Sequence, residues 1–260
     1  MASLSEYKAL FTQMTKREIT ERYKGSALGL LWSFITPLIL LGVYTFVFGT
    51  LFNARWSGSA TTADFAIILF AGLLMFQLFS DVVTRVPSLI LSHTNLVKKV
   101  VFPLDILVPV VLGSAMFHAC VSLVILLTAT FFIQGYIPLT VFWLPVIFAP
   151  FLILLVGLGW MLAALGVYLR DIGQVMGTIT TALLFLAPIF YPPDLIPSWV
   201  APYIAFNPIV IPIEMLRDAA IFGRAPDPYH FAVYTAAAVI IASLGYSFFK
   251  HLRPGFADVL

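Results

Sequence analysis

Long apolar runs dominate this sequence and limit what it can fold into. Of its 260 residues, 61% are hydrophobic and only 10% are charged, whereas a soluble domain carries about 25% charged residues. About 20 consecutive apolar residues are enough to cross a bilayer as a helix. A helix also satisfies its backbone hydrogen bonds internally, as the hydrocarbon interior requires. The sequence therefore predicts an all-α integral membrane protein.

Six runs are long enough to be transmembrane helices, and residues 1–260 are predicted to form a single transmembrane domain. The predicted spans are residues 28–52, 65–82, 106–133, 141–165, 172–189 and 231–249. Residues 4–22 place apolar and charged side chains at three- and four-residue spacing, which is typical of an amphipathic helix in the membrane interface. Residues 190–229 are rich in proline and aromatic residues, and their apolar pieces are too short to span. Short helices broken at proline are expected there.

Lysine and arginine are distributed unevenly between the loops, and this distribution predicts the orientation. Loops rich in these residues stay on the cytoplasmic side. With a cytoplasmic N-terminus, only Arg55, Arg217 and Arg224 of the 14 lysine and arginine residues lie outside. Both chain ends are therefore predicted to be cytoplasmic. Residues 1–26 lack the apolar core of a signal peptide, so insertion is expected to depend on the spans themselves.

A polar stretch at residues 84–103 interrupts the apolar runs. It cannot lie in the membrane, because Arg85, Lys98 and Lys99 would each cost about 2.5–3.5 kcal/mol at the bilayer centre. Its apolar residues approximate one face of a short helix, which residues 92–95 interrupt with hydrogen-bonding side chains. On the cytoplasmic side, such a half-apolar helix could bind a cytosolic partner. The alternative is a solvated loop with an interfacial helix.

The motifs of several function classes are absent from the sequence. It has no G-x-x-x-x-G-K-[ST] phosphate loop, no histidine and carboxylate cluster with metal spacing and no basic stripe for nucleic acid. No catalytic or metal-binding residue is therefore assigned, and an enzyme is not supported. The spans also lack the mid-membrane charges that ion-coupled carriers use. Such a chain must either obtain energy from a partner or conduct passively.

Aromatic residues are frequent in and beside the spans, where their flat faces could stack on the C–H faces of sugars. Because such stacking does not depend on the exact order of the sugars, it suits a polymer that slides past. The alternative is that these residues face lipid or belong to the interfacial aromatic belt. The candidates for a substrate channel are Trp32, Phe34, Tyr44, Phe48, Phe185 and Tyr191.

Four stretches, in their order and spacing, resemble a known family over essentially the whole chain. They are Arg22-Tyr23-Lys24-Gly25-Ser26 with Trp32 and Pro37, Asn95-Leu96-Val97-Lys98-Lys99-Val100-Val101-Phe102-Pro103, Arg170-Asp171-Ile172, and Pro188-Ile189-Phe190-Tyr191-Pro192 continued through Asn207-Pro208 to Glu214 and Arg217. The chain resembles the membrane subunit, or permease, of the bacterial polysaccharide ABC exporters of type 2. These transporters handle O-antigen, capsule and teichoic acid chains.

The resemblance implies a homodimer in the bacterial inner membrane that acts with two separate ATPase subunits. ATP and Mg would be bound by those partners, so no cofactor is expected in this chain. The implied substrate is a polysaccharide linked to undecaprenyl diphosphate, or to a phospholipid in the capsule branch, and the implied function is O-antigen export. Export of capsule or teichoic acid by the same family is an alternative. A self-sufficient channel or carrier is an alternative from another class.

The resemblance also implies roles for particular residues. An interface helix maps onto residues 5–21, a coupling helix onto 85–96 and periplasmic gate helices onto 193–221. Spans one and five would line the channel at the dimer interface. Arg22 and Lys24 could bind the lipid diphosphate, although they could equally be ordinary anchors of the first span. The remaining candidates are Arg85, Leu89, Ser92, His93, Asn95 and Leu96 for ATPase coupling, and Asn207, Glu214 and Arg217 for the gate.

Overall fold

All regular structure in the described part of the chain is helical. The computed structural model describes residues 4–51, 56, 61–99 and 102–260, and within them it has helices and turns but no β-strand. Arg55, one of the three arginines predicted on the external side, and Val100 and Val101 of the polar stretch are not among the described residues. The α-helices are α1 (Leu4–Arg22), α2 (Trp32–Tyr44), α3 (Thr62–Arg85), α4 (Leu89–Ser92), α5 (Thr94–Lys99), α6 (Leu107–Gln134), α7 (Leu144–Tyr168), α8 (Ile172–Leu186), α9 (Ala201–Ala205), α10 (Val210–Arg217), α11 (Pro228–Leu252) and α12 (Phe256–Val259).

Tighter or wider helical turns extend several of these helices. A π-helical segment, Thr45–Leu51, continues α2, and another, Asp218–Phe222, continues α10. The 3₁₀ segments are Gly29–Leu31, Val86–Ser88, Leu104–Ile106, Leu139–Trp143, Pro193–Leu195 and Arg253–Gly255.

Five helical segments in the described residues are long and apolar enough to cross a membrane. They are Gly29–Leu51, Thr62–Ser92, Leu104–Gln134, Leu139–Tyr168 and Pro228–Val259. The chain is therefore a multi-pass membrane protein, in agreement with the all-α membrane fold expected from composition. The remaining predicted span corresponds to α8, an apolar helix of 15 residues, or about 22 Å at 1.5 Å per residue.

The short length of α8 has a local cause. The apolar pattern extends this span to residue 189, but the helix ends at Leu186 and Ala187 adopts an extended conformation with ψ of 145°. Ala187 precedes Pro188, and the proline ring disfavours the helical conformation of the residue before it. The predicted end at residue 189 is therefore three residues too late.

Local signals also place other helix ends. At the start of α3, Thr61 Oγ1 accepts a hydrogen bond from the Asp64 amide (3.2 Å), and Asp64 Oδ2 accepts one from the Thr61 amide (2.9 Å). This reciprocal capping satisfies two of the amides that a helix start leaves without partners. Gly135 ends α6 with a φ of 79°, a conformation that glycine adopts without strain.

The bundle is built around α3, which the other helices bury along most of its length, whereas Ser33 is the one fully buried residue of α2. We call the end of the bundle formed by α1, residues 86–99 and the C-terminal residues the basal face. The opposite end, formed by residues 135–143 and 187–227, is the distal face. Hydrogen bonds join the segments at each end. Tyr7 bonds to Asp105 at the basal face, and Thr140 bonds to the Ala219 carbonyl oxygen at the distal face.

The polar stretch does not form the single helix that its apolar pattern suggests. Its first turn, Val86–Ser88, directly continues α3, and His93 separates α4 from α5. Pro87 is buried against α7, where a Cβ at Gly166 would lie 1.9 Å from the Pro87 carbonyl oxygen. The second span and α4 are therefore one mechanical unit, since no flexible loop separates them.

Candidate functional site

A cavity of about 370 Å³ lies between α2, α3 and α6, and we call it the Arg22 cavity. Its end near the basal face is polar, whereas its deeper wall is mostly apolar. The polar end is formed by Arg22, Tyr23, Asp81 and His118. Apolar side chains form most of the remaining wall, among them Trp32, Pro37, Leu40, Phe70, Leu73 and Leu74, and further polar side chains line it at Ser26, Ser33, Thr36, Gln77 and Ser122. An amphipathic shape of this kind suits a molecule with a polar head and an apolar chain.

A series of ion pairs, here called the ion-pair chain, crosses the polar end of this cavity. Asp81 Oδ2 lies 2.9 Å from Arg22 Nη1 and 3.5 Å from Arg85 Nη1, so one carboxylate oxygen serves two guanidinium groups. Arg85 Nη2 also donates to Glu18 Oε1 on α1. The chain Glu18–Arg85–Asp81–Arg22 therefore connects α1 to α3 and then to the residue that ends α1.

A tyrosine and a histidine stand beside this chain. The Tyr23 hydroxyl lies 3.2 Å from His118 Nδ1, and burial raises the pKa of Tyr23. His118 Nε2 is buried and has no hydrogen-bond partner among the described residues. With the Tyr23 hydroxyl donating to Nδ1, the neutral imidazole carries its proton on Nε2 and can donate it.

A groove of about 430 Å³ opens on the basal face between α1, residues 89–96 and the start of α6, and we call it the basal groove. Five of the six predicted ATPase-coupling residues line it, namely Leu89, Ser92, His93, Asn95 and Leu96. From α1 it is lined by Leu10, Gln13, Met14, Arg17, Glu18 and Glu21. The sixth predicted residue, Arg85, reaches this region through its ion pair with Glu18. The structure thus brings the predicted coupling residues together with a charged helix.

A second polar contact holds α1 in place. The Tyr7 hydroxyl donates to Asp105 Oδ2 (2.7 Å), and Arg253 Nη1 lies 3.7 Å from Asp105 Oδ1. Burial and the Asp105 carboxylate raise the pKa of Tyr7. Trp160 of α7 donates to the Asp105 carbonyl oxygen (3.0 Å). Because α1 is attached near both of its ends, it is expected to move together with the basal ends of α3 and α6.

Aromatic side chains gather nearer the distal face, and we call them the aromatic cluster. Phe190 is its centre, with ring centroids 4.5 Å from Phe48, 5.5 Å from Tyr44 and 5.8 Å from Phe185. The Tyr191 hydroxyl donates to the Phe185 carbonyl oxygen (3.1 Å). Four of the six predicted channel residues are thus neighbours, but Trp32 lies in the Arg22 cavity and Phe34 is exposed on α2.

Arg217 is the most buried charged residue at the distal face, with 2% of its surface exposed. It donates to the carbonyl oxygens of Ile68 (3.0 Å), Pro188 (2.7 Å) and Ile189 (3.3 Å). Its guanidinium carbon lies 4.2 Å from the centroid of the Trp56 ring. Arg217 therefore joins α10 to α3 and to the segment that follows α8.

The other two predicted gate residues differ from each other in their surroundings. Asn207 is buried, and its Nδ2 lies 3.5 Å from the Leu183 carbonyl oxygen of α8 while its Oδ1 accepts from the Ile209 amide. Glu214 is exposed on α10. Asn207 and Arg217 thus contact α8 or the segment that follows it. Glu214 instead lies on the exposed side of α10.

Sequence reasoning missed several residues that the structure places at these sites. Asp81 and His118 complete the polar end of the Arg22 cavity, Glu18 extends the ion-pair chain into the basal groove, and Phe190 centres the aromatic cluster. The four-residue spacing of Asp81 and Arg85 on one helix was an available signal, because such residues are neighbours on a helix surface. Lys24, predicted with Arg22, is exposed and does not line the cavity.

Comparisons with known proteins place these features in context. Residues 9–221 match the profile of the family described as ABC-2 type transporter. The chain is 27% identical over 257 residues to the O-antigen export system permease protein RfbA of Myxococcus xanthus, covering 98% of this chain and 96% of the relative. It is 25% identical over 238 residues to the polysialic acid transport protein KpsM of Escherichia coli, covering 86% and 87%. It is also 25% identical over 225 residues to the capsule polysaccharide export inner-membrane protein CtrC of Neisseria meningitidis, covering 85% and 82%.

Proposed function

This chain belongs to the ABC-2 type transporter family, and from that premise we propose that it is the permease subunit of an ATP-driven exporter of lipid-linked polysaccharide. The resemblance inferred from the four sequence stretches is thereby confirmed. The structural observation that supports the proposal is the basal groove, where residues 89–96 and α1 together form a wall of mixed apolar and charged character.

We propose O-antigen linked to undecaprenyl diphosphate as the substrate. The similarity to the O-antigen permease of Myxococcus xanthus covers 98% of this chain, whereas the similarities to the polysialic acid and capsule proteins cover 86% and 85%. Export of capsular polysaccharide or teichoic acid is the alternative within the family. The polar end of the Arg22 cavity supports binding of a lipid diphosphate by Arg22. Lys24, two residues further along the chain, is proposed as a second cation for the same group.

The proposed topology has six spans, with α8 as the fifth and both chain ends in the cytoplasm. The basal face is then cytoplasmic, and the distal face is periplasmic. The distribution of lysine and arginine supports this orientation. Under it, α1 is the interface helix, residues 86–99 are the coupling region, and α9 and α10 are gate helices.

The surface of α8 supports a channel at a homodimer interface. Gln174, Thr178 and Thr181 are exposed on α8, and their spacing of four and three residues places them on one face of the helix. Polar residues inside the membrane face the bundle interior or a water-filled cavity more often than lipid. Phe185 continues the same stripe and belongs to the aromatic cluster. We therefore propose that a second copy covers α2 and α8 and that this stripe lines the path of the glycan.

The proposed mechanism begins at the basal groove. Two separate ATPase subunits, which bind ATP and Mg, would dock there and press on α4 when they close. Because α4 continues α3 with only one 3₁₀ turn between them, that movement reaches Ile68, whose carbonyl oxygen accepts from Arg217. The gate helix α10 would therefore respond to the ATPase through α3.

The test has two steps. The tagged chain is purified from its native host with whatever binds it, and the gene that encodes the chain is then deleted. We expect a soluble nucleotide-binding subunit in about equal amount and loss of surface glycan in the deletion strain. Loss of the O-chain ladder supports O-antigen export, whereas loss of capsule supports the alternative. ATP hydrolysis by the purified chain alone would contradict the subunit assignment. Glycan transport by vesicles that contain only this chain would favour a self-sufficient carrier.

A further inference from the structure

The Arg22 cavity and the basal groove share the ion-pair chain. Arg22 and Asp81 line the cavity, Glu18 lines the groove, and Arg85 pairs with both carboxylates. No further residue is needed to connect the two sites. Of the three contacts, the one between Arg85 and Asp81 is the longest at 3.5 Å, so the chain is weakest at its centre.

The charges at the cavity explain how a ligand would act on this chain. A diphosphate is a stronger partner for a guanidinium group than one carboxylate, because it offers several oxygens to paired N–H donors. A diphosphate at the mouth of the cavity would therefore compete with Asp81 for Arg22. His118, with its unpartnered Nε2, lines the same cavity and offers a second donor. The apolar deeper wall suits the first part of a polyprenyl chain.

Displacement of Asp81 has a consequence at the groove. The Asp81 carboxylate, no longer held by Arg22, becomes available to Arg85, whose other contact is Glu18. A closer contact between Arg85 and Asp81 weakens the hold on Glu18. Glu18 is then free to pair with a cation of the protein docked in the basal groove.

We propose that the ion-pair chain Glu18–Arg85–Asp81–Arg22 is a substrate sensor, through which a lipid diphosphate in the Arg22 cavity strengthens engagement of the ATPase in the basal groove. This inference rests on the proposed function. Coupling between two binding sites is reciprocal. The docked ATPase therefore also raises the affinity of the cavity for the lipid, and an unloaded exporter hydrolyses less ATP.

The test uses the complete complex of permease and ATPase in phospholipid vesicles, with a polyprenyl diphosphate as the probe. The measured quantity is the ratio of ATP hydrolysis with the probe to hydrolysis without it. We expect a ratio well above one for the wild type, because a more firmly engaged ATPase hydrolyses ATP faster. Glu18→Gln should reduce the ratio to nearly one. The matched control is Glu6→Gln, which removes the same charge from the same helix at a residue outside the linings of the groove and the cavity, and it should keep the wild-type ratio.

A second variant separates a sensor from structural damage. Asp81→Asn removes the carboxylate that competes for Arg22, so the permease alone should bind the polyprenyl diphosphate more tightly than the wild type. The same variant should lose the stimulation of hydrolysis, because the chain is broken at its centre. Damage to the fold would weaken both properties. Weaker lipid binding by Asp81→Asn, or equal ratios for Glu18→Gln and the wild type, would overturn the proposal.

Two further probes identify the group that is sensed. A polyprenyl alcohol, which lacks the diphosphate, should leave hydrolysis unchanged, and stimulation by it would overturn the proposal. Inorganic pyrophosphate with excess Mg tests a free anion, and stimulation that depends on Glu18 would support the same chain acting on a soluble ligand. Copurification of the ATPase is established before hydrolysis is measured. Failure of the proposed function would therefore appear as a missing partner, not as an altered ratio.

Discussion

Gly245 of α11 lies directly against Gly157 of α7, so closely that a Cβ at Gly245 would lie 2.1 Å from the Gly157 carbonyl oxygen. A Cβ at Gly157 would in turn lie 2.5 Å from the Ala242 Cα. Small residues allow membrane helices to approach backbone to backbone, and the gain is van der Waals packing. The fourth and last long apolar helices are therefore joined by a contact that no side chain can enter.

The glycine contact predicts a large effect from a single methyl group. Gly245→Ala should lower the free energy of unfolding by about 1–3 kcal/mol, because the helices must separate to admit the added atom. The control is Gly177→Ala on α8, where an added Cβ meets nothing within 4 Å; its effect should stay within about 0.5 kcal/mol. Thermal unfolding of the two variants in detergent measures the difference. Equal midpoints would show that the α7–α11 contact is looser than the structure has it.

Arg217 provides the second prediction. Arg217→Lys keeps the charge but loses the planar group that reaches three carbonyl oxygens. The lost hydrogen bonds should cost about 1–3 kcal/mol, and export should fall with them, since α10 would no longer be joined to α3 and the end of α8. Arg224→Lys is the control, because Arg224 is exposed and its ion pair with Asp218 is long, at 3.9 Å. Unfolding midpoints and surface glycan are the measurements, and an Arg217→Lys variant with wild-type values for both would contradict the role.

The aromatic cluster predicts a defect in export without a defect in folding. Phe185 is 59% exposed although it contacts Phe190, so its removal leaves little cavity. Phe185→Ala should slow export severalfold, because an aromatic face proposed to stack on the glycan is lost, while the amount of protein in the membrane stays normal. Tyr44→Ala should behave in the same direction. Phe142→Ala, which removes a more exposed ring (79%) outside the cluster, is the control, and normal export by Phe185→Ala would remove this residue from the channel.

The basal groove predicts where the ATPase binds. Replacement of His93 and Asn95 by alanine removes two polar groups from its wall and should reduce copurification of the ATPase severalfold. His251→Ala is the control, because His251 is also exposed near the basal face but does not line the groove. The ratio of ATPase to permease after mild solubilisation is the readout. An unchanged ratio for the double variant would place docking on another surface.

Part of this arrangement follows from local sequence signals. Apolar runs predict the long helices α3, α6, α7 and α11, because the bilayer demands both the length and the composition. Pro188 and Gly135 end α8 and α6 through their own backbone preferences. The break of the coupling region at His93 falls inside the polar interruption predicted at residues 92–95. The early end of α8 was missed, since a hydropathy pattern does not record where a helix stops.

The sequence by itself determined that this chain is an α-helical membrane protein of one recognisable transporter family. Tertiary structure alone decided which side chains meet. Arg22 and Asp81 are 59 positions apart and Arg217 and Ile68 are 149 apart, and nothing in the spacing of either pair predicts contact. Composition and period report how each segment meets lipid or water, whereas a hydrogen bond between distant segments exists only once the helices have packed in one particular order.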